Sequence, residues 1–81
     1  MDRETVLWQL KWVDRVIRNS ELRIARLFEL QAFLHRSGGD AKQVNAAIHL
    51  EERAQALRRM DRSRLVAMVS QTRRKRHWKP A

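Results

Sequence analysis

Ser37-Gly38-Gly39-Asp40 decides the fold, because it holds both glycines of the chain. Upstream of it, nothing from Asp2 to Arg36 breaks a helix. Downstream, nothing does from Ala41 to Lys79, and Pro80 is the single proline. The tetrad reads as a stop followed by a start. Gly38 can take the left-handed conformation that closes a helix, and His35 and Arg36 suit the negative end of the helix dipole. Asp40 suits an N-cap, and Gln43 three residues later would complete a capping box. At the front of the chain, Asp2 is the corresponding cap, with Glu4 in the first turn. A link this short makes its two helices antiparallel. The expected fold class is all-α: two long antiparallel helices, a helical hairpin. The first helix covers about 2–36, the turn 37–40 and the second helix about 41–72.

Working outward, the first helix carries a regular apolar seam. Val6, Leu10, Val13, Ile17, Ser20, Ile24, Leu27, Gln31 and Leu34 alternate steps of four and three, the signature of a heptad seam. Ser20 and Gln31 are its polar positions, and such positions can fix register. In the second helix, Val44, Ala47, Leu50, Ala54, Leu57, Asp61, Leu65 and Met68 form the expected contact stripe. Folding about the glycines then sets Leu50 against Leu27, Leu57 against Ser20 and Met68 near Leu10, with Asp61 paired to nearby arginines.

Leu7, Val16, Phe28 and Leu30 flank the first seam and make it wider than one partner helix covers. Each large apolar side chain moved out of water contributes about 1.5–3 kcal/mol. Two hairpins packed as a four-helix bundle would capture that, so a homodimer is expected. The size of the chain agrees: 81 residues without a cysteine have neither the large core nor the disulfide that steadies small domains.

Composition excludes other classes. Two glycines and one proline are too few for an all-β domain, and 43% hydrophobic residues are too many for a disordered chain. No apolar run approaches the roughly 18 residues of a membrane span, and no stretch resembles a signal peptide. A cytoplasmic protein is the expectation. His35, His49 and His77 have no nucleophile partner, and the sequence holds no Gly-rich phosphate loop and no HExxH zinc motif. His49 and Glu52 share a helix face, but in the reverse order of the Glu-x-x-His pairs of bundle di-iron sites. No catalytic residue, metal site or cofactor is therefore expected, and the chain does not read as an enzyme.

Two features could bind partners. Trp8 and Trp12 lie one helical turn apart, off the seam, at the open end of the hairpin, where Trp78 of the tail also falls. Tryptophan is enriched at binding hot spots. The other feature is charge. Lys+Arg number 18 against 9 Asp+Glu, a net charge of +9. Residues 73–81 form a basic tail, expected to be flexible, with Arg73, Arg74, Lys75, Arg76 and Lys79. Arg58, Arg59, Arg62 and Arg64 extend the charge along the second helix. Basic clusters with an aromatic attract phosphate backbones.

The stretch from Glu21 to Leu65, with Ser20 before it, carries Ser20-Glu21-x-x-Ile24-Ala25-Arg26, Leu30-Gln31-x-x-Leu34, Gly39-Asp40, Glu51-Glu52 and Arg62-x-Arg64-Leu65. In these it resembles a group of short, mostly alphaproteobacterial proteins with a Gly-Asp turn between two amphipathic helices. The resemblance covers about half the chain and implies a helical hairpin without implying an activity. The basic tail and the N-terminal tryptophans depart from that pattern.

The reading that results is a small, non-enzymatic interaction or adaptor protein acting as a homo-oligomer, with Trp8, Trp12 and Trp78 available to a protein partner. The alternative is a hairpin that binds RNA or DNA through Arg58, Arg59, Arg62, Arg64 and the tail. An anionic membrane surface is a third and weaker partner.

Overall fold

The computed structural model describes the backbone of residues 2–77 and the side chains of residues 2–71. It is an all-α helical hairpin of two helices, α1 (Arg3–Ser37) and α2 (Lys42–His77), packed along their length into a rod of 72 × 16 × 15 Å. Among the described residues no helix is long and apolar enough to cross a membrane.

The ends of α1 are closed by the residues that the sequence offers for the purpose. The Asp2 carboxylate accepts the Thr5 backbone N–H at 2.7 Å. This bond holds the carboxyl below the usual carboxylate range, with the Thr5 side chain lowering it further. At the other end Gly38 adopts φ 74°, ψ 17°, and its N–H turns back to the Leu34 carbonyl. The Gly39 N–H reaches the same oxygen at 2.8 Å. A side chain at Gly38 would be strained at that φ. At Gly39 the difficulty is space, since an added Cβ would stand 2.9 Å from Leu34 Cδ2.

α2 opens differently from the expected capping box. The Asp40 carboxylate accepts from the Lys42 N–H at 2.9 Å, and the Ala41 carbonyl takes the first helical bond, from Asn45. The helix therefore begins about one residue later than the box requires. Gln43 then sits too early in the first turn to reach back, and it makes no reciprocal bond among the described residues. At its far end α2 runs through residues 73–77, beyond the expected limit near residue 72, because no glycine or proline lies between Asp40 and Pro80.

The α1 seam is the one its spacing predicts. Val6, Val13, Ile17 and Ser20 are buried, and Leu10, Ile24, Leu27, Gln31 and Leu34 are half-buried. Val6, Val13, Ile17 and Leu65 form the core cluster at the open end, with Leu10, Met68 and Val69 packed against it. Ala41 and Ile48 are the buried apolar residues nearer the turn.

The α2 contact stripe differs from the expected one. Of the expected stripe, Leu65 is buried and Val44, Ala47, Ala54 and Met68 are half-buried, while Leu50, Leu57 and Asp61 are exposed. Ala41, Asn45, Ile48, Glu51, Gln55, Arg58 and Val69 also turn toward α1. At mid-length the contact is centred beyond the expected stripe, a rotation of less than the roughly 100° that one residue spans. The polar positions of α1 explain this rotation. Ser20 is fully buried, and its hydroxyl donates to Glu51 Oε2 at 3.3 Å. The Gln31 side-chain amide donates to Asn45 Oδ1. Leu57 set squarely opposite Ser20 would have left a buried hydroxyl unpaired, at about 1–3 kcal/mol. Turning α2 toward these partners satisfies both polar side chains and leaves Leu50 and Leu57 on the outside, while Leu65 stays buried.

Candidate functional site

That rotation creates the main surface feature of the molecule. Two recesses open along one long side of the hairpin. At the open end, Trp8, Trp12 and Val13 of α1 meet Leu65 and Met68 of α2, with Gln9, Asp61 and Arg64 at the rim, around a volume of about 530 Å³. Toward the turn, Leu27 and Leu30 meet Ala47 and Leu50, with Arg23, Arg26 and Glu51 at the rim, around about 490 Å³. On α2 the steps 47, 50, 54, 57, 61, 64, 68 keep these residues on one face. Leu57 therefore lies on the same side, between the recesses. Along this side Trp8 is 68% exposed, Trp12 57%, Leu50 65% and Leu57 63%.

The opposite side is closed by ion pairs between the helices. Arg62 Nε donates to Asp14 Oδ1 at 2.6 Å, and Arg59 Nη2 to Glu21 Oε1 at 3.4 Å. Asp14 and Glu21 are two turns apart on α1, one residue beyond the seam positions Val13 and Ser20, so both bridges cross the same edge. Leu7, Phe28 and Val66 are exposed as well. Leu7 and Phe28 are separated by that acidic pair.

The expected site residues are distributed over both sides. Trp8 and Trp12 stand together in the open-end recess. Trp78 and Lys79 lie outside the described residues, as do the side chains of Arg73, Arg74, Lys75 and Arg76. The arginines of the Arg58–Arg64 stretch do not form one free basic face. Arg59 and Arg62 are bonded to Glu21 and Asp14. Arg64 Nη1 lies 3.9 Å from Asp61 Oδ1. Arg58 is half-buried on the contact stripe, and its Nη1 is buried without a partner among the described residues. Asp61 is an exposed rim residue of the groove, not part of the hairpin contact.

Glu51 is the residue whose role spacing alone does not reveal. Besides Ser20 it receives Arg23 Nε at 3.2 Å and Arg23 Nη2 at 3.5 Å, which joins the helices at mid-length. Its only signal in the sequence is the need of Ser20 for a partner across the hairpin. His49 and Glu52 are 4.0 Å apart and exposed on the outer face of α2, and no cluster of three metal-ligating side chains occurs among the described residues.

No family model matches the chain, and neither does any curated protein or solved structure.

Proposed function

We propose that this chain is a non-enzymatic interaction protein that works as a homo-oligomer and uses the groove side as its contact surface. One observation carries the reading: α2 turns Leu50 and Leu57 outward on the side where α1 leaves Trp8 and Trp12 exposed. Contiguous apolar surface of this kind marks an interaction site, and tryptophan is a favoured anchor within one. The recesses are lined mainly by apolar side chains, and the charged groups at their rims, Asp61 with Arg64 and Glu51 with Arg23, are held in ion pairs, which favours binding over catalysis. The engagement of Arg59 and Arg62 by carboxylates weighs against the phosphate-binding alternative for that stretch.

Sedimentation equilibrium tests the proposal. At tens of micromolar the wild-type chain is expected near twice its 9.7 kDa, and the double variant Leu50→Glu/Leu57→Glu near the monomer mass with its helicity retained. A helical wild-type chain that stays monomeric throughout that range overturns the homo-oligomer. Titration with RNA and DNA oligonucleotides at two salt concentrations tests the alternative, because each duplex phosphate neutralised adds about 0.9 to the logarithmic salt slope. Tight, strongly salt-dependent binding that the Leu50/Leu57 variant retains would move the function to nucleic acid.

A further inference from the structure

Resting on the homo-oligomeric reading above, the geometry points to a dimer in which two hairpins stack groove to groove, head to tail, about a two-fold axis beside Leu57. Area permits it. With the axis beside Leu57, about 25 Å from the turn at about 1.5 Å per residue, two rods 16 Å wide overlap over about 50 Å and offer on the order of 800 Å², close to the roughly 800 Å² per partner of a standard interface.

The placement of the recesses sets the orientation. Their centres are about 25 Å apart along the hairpin at about 1.5 Å per residue, and they are of similar size. Midway between them on α2 is Leu57, flanked four residues to either side by Arg53 and Asp61. A two-fold axis across the rod at this level stacks α2 on its counterpart in the opposite direction. Leu57 then meets Leu57 of the second copy. Asp61 lies over Arg53 of the second copy, and the symmetry makes this opposite-charge pairing twice. Arg53 is exposed and has no ion-pair partner of its own among the described residues. The Trp8–Trp12 end of each hairpin is brought over the Leu27–Leu30–Ala47 end of the other, so bulky indoles oppose an alanine and aliphatic side chains.

The same-end arrangement fits worse. It would gather four indoles at one end and leave only aliphatic residues at the other, wedging the two layers apart. It would also set Leu57 over the polar Ser20–Asn19 level of α1 and bury Asp61 near Val16. The opposite side is the poorer surface for a second copy, because docking there would desolvate Arg59, Arg62, Asp14 and Glu21 across its middle. The ion pairs of the groove side, Arg23–Glu51 and Asp61–Arg64, lie instead at the rims of apolar recesses. In the head-to-tail dimer the two α2 helices end at opposite ends of the rod, which gives the assembly two equivalent termini.

Introduced cysteines read the arrangement directly, since the chain has none of its own. Under mild oxidation at tens of micromolar, full-length Leu57→Cys is expected to form a disulfide-linked dimer. Leu50→Cys alone is expected to stay reduced but to link to Arg64→Cys when the two are mixed, because both lie seven residues from the axis. Asp61→Arg should weaken dimerisation roughly tenfold or more by setting like charges together, and adding Arg53→Asp should restore it. These positions are exposed, so each variant is expected to keep its helicity, which far-UV circular dichroism checks. A dimer in which Leu57→Cys stays reduced overturns the arrangement, and linkage through Phe28→Cys instead would assign the contact to the opposite side. A wild-type chain that is monomeric by sedimentation overturns the homo-oligomeric reading itself, whatever the cysteines do.

Discussion

The two helices are nearly equal in length, 35 and 36 residues, yet the hairpin uses them in opposite ways. α1 turns its apolar stripe inward, so Val6, Val13 and Ile17 are buried. α2 turns inward a stripe that is polar at mid-length, with Glu51, Gln55 and Arg58, and leaves Leu50 and Leu57 in water. The contrast teaches that an apolar stripe does not name its own partner. The polar groups that the first helix buries can decide how the second is rotated. Leaving a buried hydroxyl unpaired costs about 1–3 kcal/mol, comparable to the about 1.5–3 kcal/mol of burying a leucine, and an exposed leucine can still be covered by another surface.

The largest effect that should separate the helices comes from truncating one residue on each. Ile17→Ala removes buried volume from the core cluster and is expected to destabilise the hairpin by about 2–4 kcal/mol. Leu57→Ala, measured by urea denaturation at concentrations low enough to keep the chain monomeric, is expected to shift stability by no more than about 0.5 kcal/mol. Equal losses at the two positions would break the contrast.

Glu51 is the next lever. Glu51→Leu supplies an apolar residue to the α2 stripe, which a purely hydrophobic account would welcome. It also strands the buried Ser20 hydroxyl and releases Arg23. A loss of about 1–3 kcal/mol is expected. Glu51→Gln keeps an acceptor for Ser20 and should lose under about 1 kcal/mol, since the Arg23 pair is partly exposed. A stabilised Glu51→Leu chain would show that polar pairing does not set the rotation.

The turn fixes where α2 begins and is expected to respond at a similar or smaller scale. Gly38→Val forces a β-branched residue to φ 74° and should cost about 1–2 kcal/mol. Gly39→Ala meets only the end of the Leu34 side chain, which can shift, and should cost less. The reverse order in thermal melts would place the left-handed residue elsewhere.

These residues also explain what was legible in the sequence. The hairpin was, because both glycines stand together and Asp2, Gly38 and Asp40 serve as end signals. The α1 seam was, because its apolar steps are regular. The α2 contact was legible in part: Val44, Ala47, Ala54, Leu65 and Met68 face α1. Glu51, Gln55 and Arg58, however, have the composition of a solvated face, and the pairing of Glu51 across the hairpin is something periodicity within one helix cannot register. The same gap hid half of the groove. Trp8 and Trp12 stood out as off-seam aromatics, while Leu50 and Leu57 were assigned to the hairpin contact.

The smallest effect tests whether the front end of α1 is held by charge as well as by geometry. The Asp2 carboxyl lies below the usual carboxylate range because it accepts the Thr5 N–H. A group whose folded pKa is lowered contributes stability that is fully present above its unfolded value, near 4, and is lost as pH falls through the folded value. Asn caps a helix about as well as Asp but carries no charge. Wild type should therefore be slightly more stable than Asp2→Asn at pH 7, where the carboxylate also faces the positive end of the helix dipole. The difference should shrink as the pH is lowered below 4 and vanish once Asp2 is protonated in both states. Urea denaturation of the two chains at pH 7 and at acid pH measures this directly. Because the group is fully exposed, added salt should reduce the gap at pH 7. A gap that persists unchanged in acid would mean that the cap acts through geometry alone and that the charge on Asp2 contributes nothing to the end of α1.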